Sequence, residues 1–126
     1  MMTEEFKASK PIYIQIADRI MYQFVRGELS VGEKLPSVRE MAIQSGVNPN
    51  TIQRTYRELE QMGIVESRRG QGTFLTEDSE MKLIIRKQLQ KEMIESFVRN
   101  MREVGVNSDE MIEELTVFLQ EGGDRK

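Results

Sequence analysis

The chain has 126 residues, 38% of them apolar and 31% charged, with a net charge of −3 and neither cysteine nor histidine. That length holds one domain, or one domain with an appendage. Without cysteine there is no disulfide or thiol chemistry, and without histidine the commonest general base and transition-metal ligand are missing, so no catalytic site, metal or cofactor is expected.

Residues 1–10 are polar and are expected to be a flexible N-terminus. No apolar run reaches bilayer length and the opening residues lack the shape of a signal peptide, so a cytoplasmic protein without membrane contact is expected. Pro11 opens a helix carrying Ile12, Ile16, Ile20 and Phe24 at four-residue spacing, with Ala17, Met21 and Val25 beside them and Gly27 as its stop. A turn around Gly32 follows, with a short extended piece at Lys34-Leu35. Ser37 and Glu40 then have the spacing of a capping box, which opens a short helix that buries Val38, Met41 and Ala42 and ends at Gly46.

Only Val47 separates Gly46 from Asn48, an N-cap residue followed by Pro49 at the first helical position. The helix so begun places Ile52, Tyr56, Leu59 and Met62 on a buried stripe and ends at Gly63. Facing outward are Asn50, Thr51, Gln53, Arg54, Arg57 and Glu58. Asn, Gln and Arg are the side chains that make paired hydrogen bonds to base edges in a major groove. A short helix, a tight Gly-containing turn and a longer capped helix form a helix-turn-helix, whose second helix enters the groove.

Two β-prone runs, Ile64 to Arg68 and Thr73 to Leu75, flank Arg69-Gly70-Gln71-Gly72 and predict a hairpin. Two arginines beside two glycines, directly after a helix-turn-helix, fit a wing that grips phosphates or the minor groove. The negative net charge is no objection, because it is unevenly spread. Residues 34–75 hold six basic side chains (Lys34, Arg39, Arg54, Arg57, Arg68, Arg69) against four acidic ones, net +2, while residues 1–33 are net −1 and residues 76–126 net −4. Phosphate contact depends on local potential, since charges beyond roughly 8 Å are largely screened at physiological salt.

The run Leu35-Pro36-Ser37-Val38-Arg39-Glu40-Met41-Ala42, then Asn48 to Tyr56, Leu59-Glu60, Gly63 and Arg69-Gly70-Gln71-Gly72-Thr73-Phe74, resembles the winged helix-turn-helix of GntR-type bacterial transcription regulators. The likeness spans roughly Pro11 to Leu75. Asn48-Pro49-Asn50-Thr51 is similar to the YtrA subgroup, whose members carry only a short helical tail. The resemblance implies that Arg39 contacts DNA, that Asn50, Thr51, Gln53 and Arg54 read bases, and that Gly70 and Gly72 approach the minor groove. With their neighbours, the candidate DNA-contacting set is Ser37, Arg39, Asn48, Asn50, Thr51, Gln53, Arg54, Arg57, Arg68, Arg69, Gly70, Gln71 and Gly72. Pro49 stands where several relatives carry a basic residue, so their base preference does not transfer.

From residue 77 onward Met81, Ile85, Leu89, Met93, Phe97 and Met101 recur every four residues until Gly105. Asn107 or Ser108 caps a second helix with Leu115, Phe118 and Leu119 on its apolar side. Two such helices cannot bury a wide apolar face against each other alone. They either pack back on the winged segment or meet a second copy, and the second copy is the expected use, in agreement with the dimer that the resemblance implies.

The fold class expected is mainly α (α+β): a winged helix-turn-helix over 11–76 and a two-helix dimerisation tail over 77–126. The function expected is a sequence-specific, homodimeric repressor bound to double-stranded operator DNA. The resemblance adds transporter genes as targets; an unidentified small-molecule effector is kept as a candidate partner, and the signal that releases the protein from DNA is not visible in the sequence. The alternative is an architectural or protein-docking winged helix, which leaves the Asn/Gln/Arg face unexplained.

Overall fold

The computed structural model describes Phe6 and residues 8–122. Of the expected N-terminal segment, residues 1–5 and 7 lie outside the described residues. Five helices and one hairpin follow in the order α1 (Ile12–Val25), α2 (Val38–Ser45), α3 (Pro49–Gln61), β1 (Val65–Arg68), β2 (Gly72–Leu75), α4 (Ser79–Glu103) and α5 (Ser108–Gln120). They form two compact units, Met1–Arg86 and Lys87–Lys126, and the division falls inside α4, later than the sequence boundary at residue 76.

Local chemistry explains where the helices begin. The Ser37 hydroxyl accepts the Glu40 N–H at 3.1 Å while the Glu40 carboxylate accepts the Ser37 N–H at 2.9 Å, so two orphan donors of α2 are satisfied reciprocally. Asn48 Oδ1 accepts the Asn50 N–H at 2.7 Å, with Pro49 occupying the first position of α3. Between these helices Gly46 takes φ 69° and ψ 35°, a left-handed conformation that costs a residue with a Cβ about 1–2 kcal/mol. That glycine turns the chain from one helix to the next in so few residues. Asp78, unremarked in the sequence reading, caps α4 by accepting from the Glu80 and Met81 amides.

In the first unit α3 is the hub, touched by α1, α2 and β1. Its buried side is Ile52, Thr55, Tyr56 and Leu59, and around it Ile16, Ile20, Phe24, Ile64 and Leu75 are almost wholly removed from water. Val65 to Arg68 pairs antiparallel with Leu75 to Gly72, and the predicted extended piece at Lys34-Leu35 adds an isolated bridge from Lys34 to Phe74. The Leu35 and Leu75 amides complete it, donating to the carbonyls of Thr73 and Glu33, each at 2.8 Å. The start of α4 also belongs to this unit. Ile85 is buried, and Met81 Cε lies where it would touch a Cβ placed on Gly63.

Two stripe residues expected to be buried, Ile12 and Met62, are exposed, and Val38 of α2 is half-buried. Ile12 is exposed because, in the first turn of α1, it is the neighbouring Tyr13 that meets α3. Met62 is exposed because α3 ends at Gln61 and the chain turns at Gly63, which hands the buried position to Ile64. Phe74 is half-buried, and Leu75 is the residue of β2 that enters the core.

The second unit is thinly packed. Among its described residues Met111 alone is a buried apolar side chain. Gly105 ends α4, with the Val106 amide donating to the Met101 carbonyl at 3.0 Å, and Asn107 and Glu110 form the capping box of α5. No helix among the described residues is long and apolar enough to cross a membrane.

Candidate nucleic-acid interface

Because α3 turns Ile52, Thr55, Tyr56 and Leu59 inward, its other side is open. Asn50, Gln53, Arg54 and Arg57 are exposed on it, and Thr51 is half-buried at its edge. Two tethers hold the helix. The Tyr56 hydroxyl donates to the Pro36 carbonyl at 2.7 Å, which ties the middle of α3 to the residue before the cap of α2. The buried Thr55 hydroxyl reaches the Tyr13 carbonyl of α1 at 3.1 Å and the Thr51 carbonyl at 2.9 Å. Burial, and then the nearby Glu40 carboxylate, push the Tyr56 phenol well above its ordinary range, so it stays a neutral donor.

Capping leaves Asn48 part of its hydrogen-bonding capacity. Its cap uses the acceptor oxygen, so the Asn48 amide N–H groups remain as donors, whereas the Ser37 hydroxyl is engaged with Glu40. The Ser37 N–H, then its hydroxyl, hold the Glu40 carboxyl below its usual range, so it stays ionised as the partner of that cap.

The five candidate arginines fall into three kinds. Arg39, Arg57 and Arg69 are exposed and make no ion pair among the described residues. Arg54 has its guanidinium carbon 4.1 Å from the centroid of the Tyr13 ring. Arg68 is engaged on three sides: Glu66 at 2.9 Å, Glu77 at 3.1 Å and the face of Phe74 at 4.1 Å. Hydrogen bonds to Glu66 and then Glu77 raise its pKa further. Adjacent in sequence, Arg68 and Arg69 are therefore unequal: the first is turned onto the hairpin and the second stands at its tip.

The wing turn is Arg69-Gly70-Gln71, closed by the Gln71 amide donating to the Arg68 carbonyl at 2.8 Å. Gly72 has φ 124°, a conformation essentially reserved for glycine, and the Lys34 side chain lies across it, with Cε 2.8 Å from where a Cβ would stand. Lys34, counted among the basic residues of this segment but not among the candidate contacts, thus joins the wing. Its pairing with a strand some forty residues on gave no local signal.

An exposed polar helix face, set in a helix-turn-helix and followed by a glycine-bearing wing with an exposed arginine at its tip, is the architecture of a duplex-DNA reader. The model for bacterial regulatory proteins of the gntR family matches residues 12–75. The chain belongs to that family. Its members are transcription regulators rather than enzymes, and this GntR-family chain is a DNA-binding regulator of transcription. It is 55% identical to the uncharacterized HTH-type transcriptional regulator YhcF of Bacillus subtilis, over 96% of this chain and all of that one. It is 35% identical to the HTH-type transcriptional repressor YtrA of the same organism, over 92% of each, which agrees with the YtrA-like resemblance. Among solved structures it is similar to a GntR family transcriptional regulator from Listeria monocytogenes, with a TM-score of 0.83 and 40% identity over 88% of this chain and 97% of that one.

The expected dimerisation residues separate into two groups. Met81 and Ile85 are half-buried and buried, as part of the first unit. Met93, Phe97, Leu115, Phe118 and Leu119 are exposed in the second unit, with Leu89 and Met101 half-buried. An apolar groove between α4 and α5 is lined by Ile94, Phe97, Val98, Met111, Ile112 and Leu115.

Proposed function

We propose that this GntR-family regulator is a homodimeric repressor that binds a palindromic operator, with transporter genes among its targets. The observation that carries the reading is the exposed side of α3. Asn50, Gln53, Arg54 and Arg57 form an outward face whose side chains make, among the described residues, no hydrogen bond, ion pair or ring contact other than the Arg54 stack, while Tyr56 and Thr55 fix the helix behind them. Of these, Asn50, Gln53 and Arg54 would read base edges. Arg39, Arg57 and Arg69 would meet phosphate, and Gly70, Gln71 and Gly72 would bring the wing backbone close to the minor groove.

Dimerisation is supported by the second unit, which leaves Met93, Phe97, Phe118 and Leu119 uncovered. Such a tail gains most of its burial from another copy, and two copies present two α3 helices to two half-sites. The winged unit runs from residue 11 through the first turns of α4, since Ile85 is part of its core, and the dimerisation segment is the remainder. Repression is supported by the name of the relative YtrA, and an operator lying across a promoter blocks transcription without any added contact.

The test is a gel-shift against restriction fragments of the source genome with excess competitor DNA. Retention of a few fragments, each containing an inverted repeat protected from nuclease, is the expected result. Equal retention of all fragments, or of none, overturns sequence-specific repression.

A further inference from the structure

We propose that Tyr13 is a positioning residue for DNA specificity: its ring, carried on α1, sets the direction in which Arg54 of α3 meets a base. The inference rests on the reading above, in which Arg54 contacts a base edge. Two successive residues of α3 engage this single residue of α1. The Arg54 guanidinium stacks at 4.1 Å from the Tyr13 ring centroid, and the buried Thr55 hydroxyl lies 3.1 Å from the Tyr13 carbonyl. The hydroxyl fixes where the Tyr13 backbone lies beside α3, and so where the ring stands.

A guanidinium offers its face to an aromatic ring and its edge to hydrogen-bond acceptors, so stacking leaves all five N–H donors in the plane. The wing supplies the contrast. Arg68 stacks on Phe74 at the same 4.1 Å, yet Glu66 and Glu77 take its donors. Arg54 makes no ion pair among the described residues, and its side chain is exposed. One stacked arginine is thus closed onto the protein and the other is open to a ligand.

A free arginine side chain must surrender several rotamers to make a paired contact with guanine, and part of the contact energy is lost to that ordering. Stacking on Tyr13 removes some of the disorder beforehand. It also restricts the directions the fork can take, so its benefit falls on the one base position that the fork reaches and not on phosphate contacts elsewhere.

The experiment uses the full-length chain and a duplex that it selects from a randomised DNA pool, together with all single-base variants of that duplex. Arg54→Ala is expected to flatten the preference at one position of each half-site. Tyr13→Leu (or Tyr13→Gln, should the leucine variant not fold) is expected to lower discrimination at that same position by about two- to fivefold, the range of an exposed cation–π contact. Tyr13→Phe, which keeps the ring, should retain it. In the Arg54→Ala background Tyr13→Leu should change nothing further, and the salt dependence of binding should be the same for every Tyr13 variant. Equal weakening of all duplexes by Tyr13→Leu, or an effect that adds in full to that of Arg54→Ala, overturns the positioning role while leaving the base contact intact. A flat profile already in the unaltered protein, or no positional change with Arg54→Ala, removes the base contact itself and the inference with it.

Discussion

Tyr56→Phe removes one hydroxyl from the joint between the two helices of the DNA-binding motif, and its consequences can be worked in two pH ranges. At neutral pH the variant loses the 2.7 Å bond to the Pro36 carbonyl. Tyr56 is 6% exposed, but Pro36 is half-buried, so water can reach the vacated carbonyl and its desolvation is not charged in full. The loss is then that of an ordinary net hydrogen bond, about 0.5–1.5 kcal/mol. For a unit of this size each kcal/mol lowers the melting temperature by about 4–8 °C.

At alkaline pH the order changes. Burial and the Glu40 carboxylate raise the phenol's pKa in the folded chain above the value of about 10 that it has when unfolded. The unfolded state therefore releases this proton first. The stability that Tyr56 contributes is fully present below about pH 10 and falls above it, by up to about 1.4 kcal/mol per pH unit until the folded phenol itself titrates. Phenylalanine has no such proton, and every other group is common to both proteins and cancels in the difference. Thermal melts at successive pH values should show the variant less stable at pH 8 and the two curves meeting at about pH 11. A gap that stays constant over that range would mean that the phenol keeps its ordinary pKa and that the tether to Pro36 is not made.

Arg39→Ala should weaken binding to every duplex by a similar factor and lower the slope of log K against log salt by about one unit, read by titration at several salt concentrations; a changed base preference with an unchanged slope would move Arg39 to the base-reading set. Leu59→Ala, at a position with no exposed surface on the hub helix, should cost about 2–5 kcal/mol in urea unfolding, and a smaller loss would mean that α1 and α2 collapse into the space. Gly72→Ala should cost about 1–3 kcal/mol through its φ of 124° rather than through Lys34, whose flexible end can move aside, so adding Lys34→Ala should not rescue it. Phe118→Asp should turn a sedimenting dimer into a monomer without changing the melting of the winged unit, and a variant that still dimerises would take α5 out of the interface.

What could be read from the residues was mostly what is settled locally. Ser37 with Glu40, Asn48 with Pro49, and the glycines at 46 and 63 each act within a few residues, so spacing alone placed α2, α3 and the turn between them. The hairpin was legible for the same reason. Long-range choices were not. Spacing assigned Thr55 to neither face of α3, and it is buried with its hydroxyl between the Thr51 carbonyl of its own helix and the Tyr13 carbonyl that α1 brings there. Arg68 and Arg69 look alike in the sequence, but the first is held by Glu66 and, from beyond the end of β2, by Glu77. The four-residue stripe from Met81 to Met101 runs on unbroken, so its periodicity could not show that Ile85 serves the first unit and Met93 does not.

On the proposed reading, the uneven charge and the bare tail are two sides of one arrangement. Each winged unit offers few phosphate contacts, with Arg39, Arg57 and Arg69 the candidate arginines that make neither an ion pair nor a ring contact among the described residues, and the affinity of one unit for any duplex is correspondingly small. Adding basic residues would raise that affinity for all sequences alike. Joining two units instead raises it only where two half-sites have the spacing that the joint imposes, because the second contact then forms at a high effective concentration. The tail meets this need with apolar surface and a net negative charge, so it adds association between copies without adding attraction to DNA. Occupancy of an operator then rises steeply over the protein concentrations at which the tails associate, and sequence discrimination is gained without any further base contact.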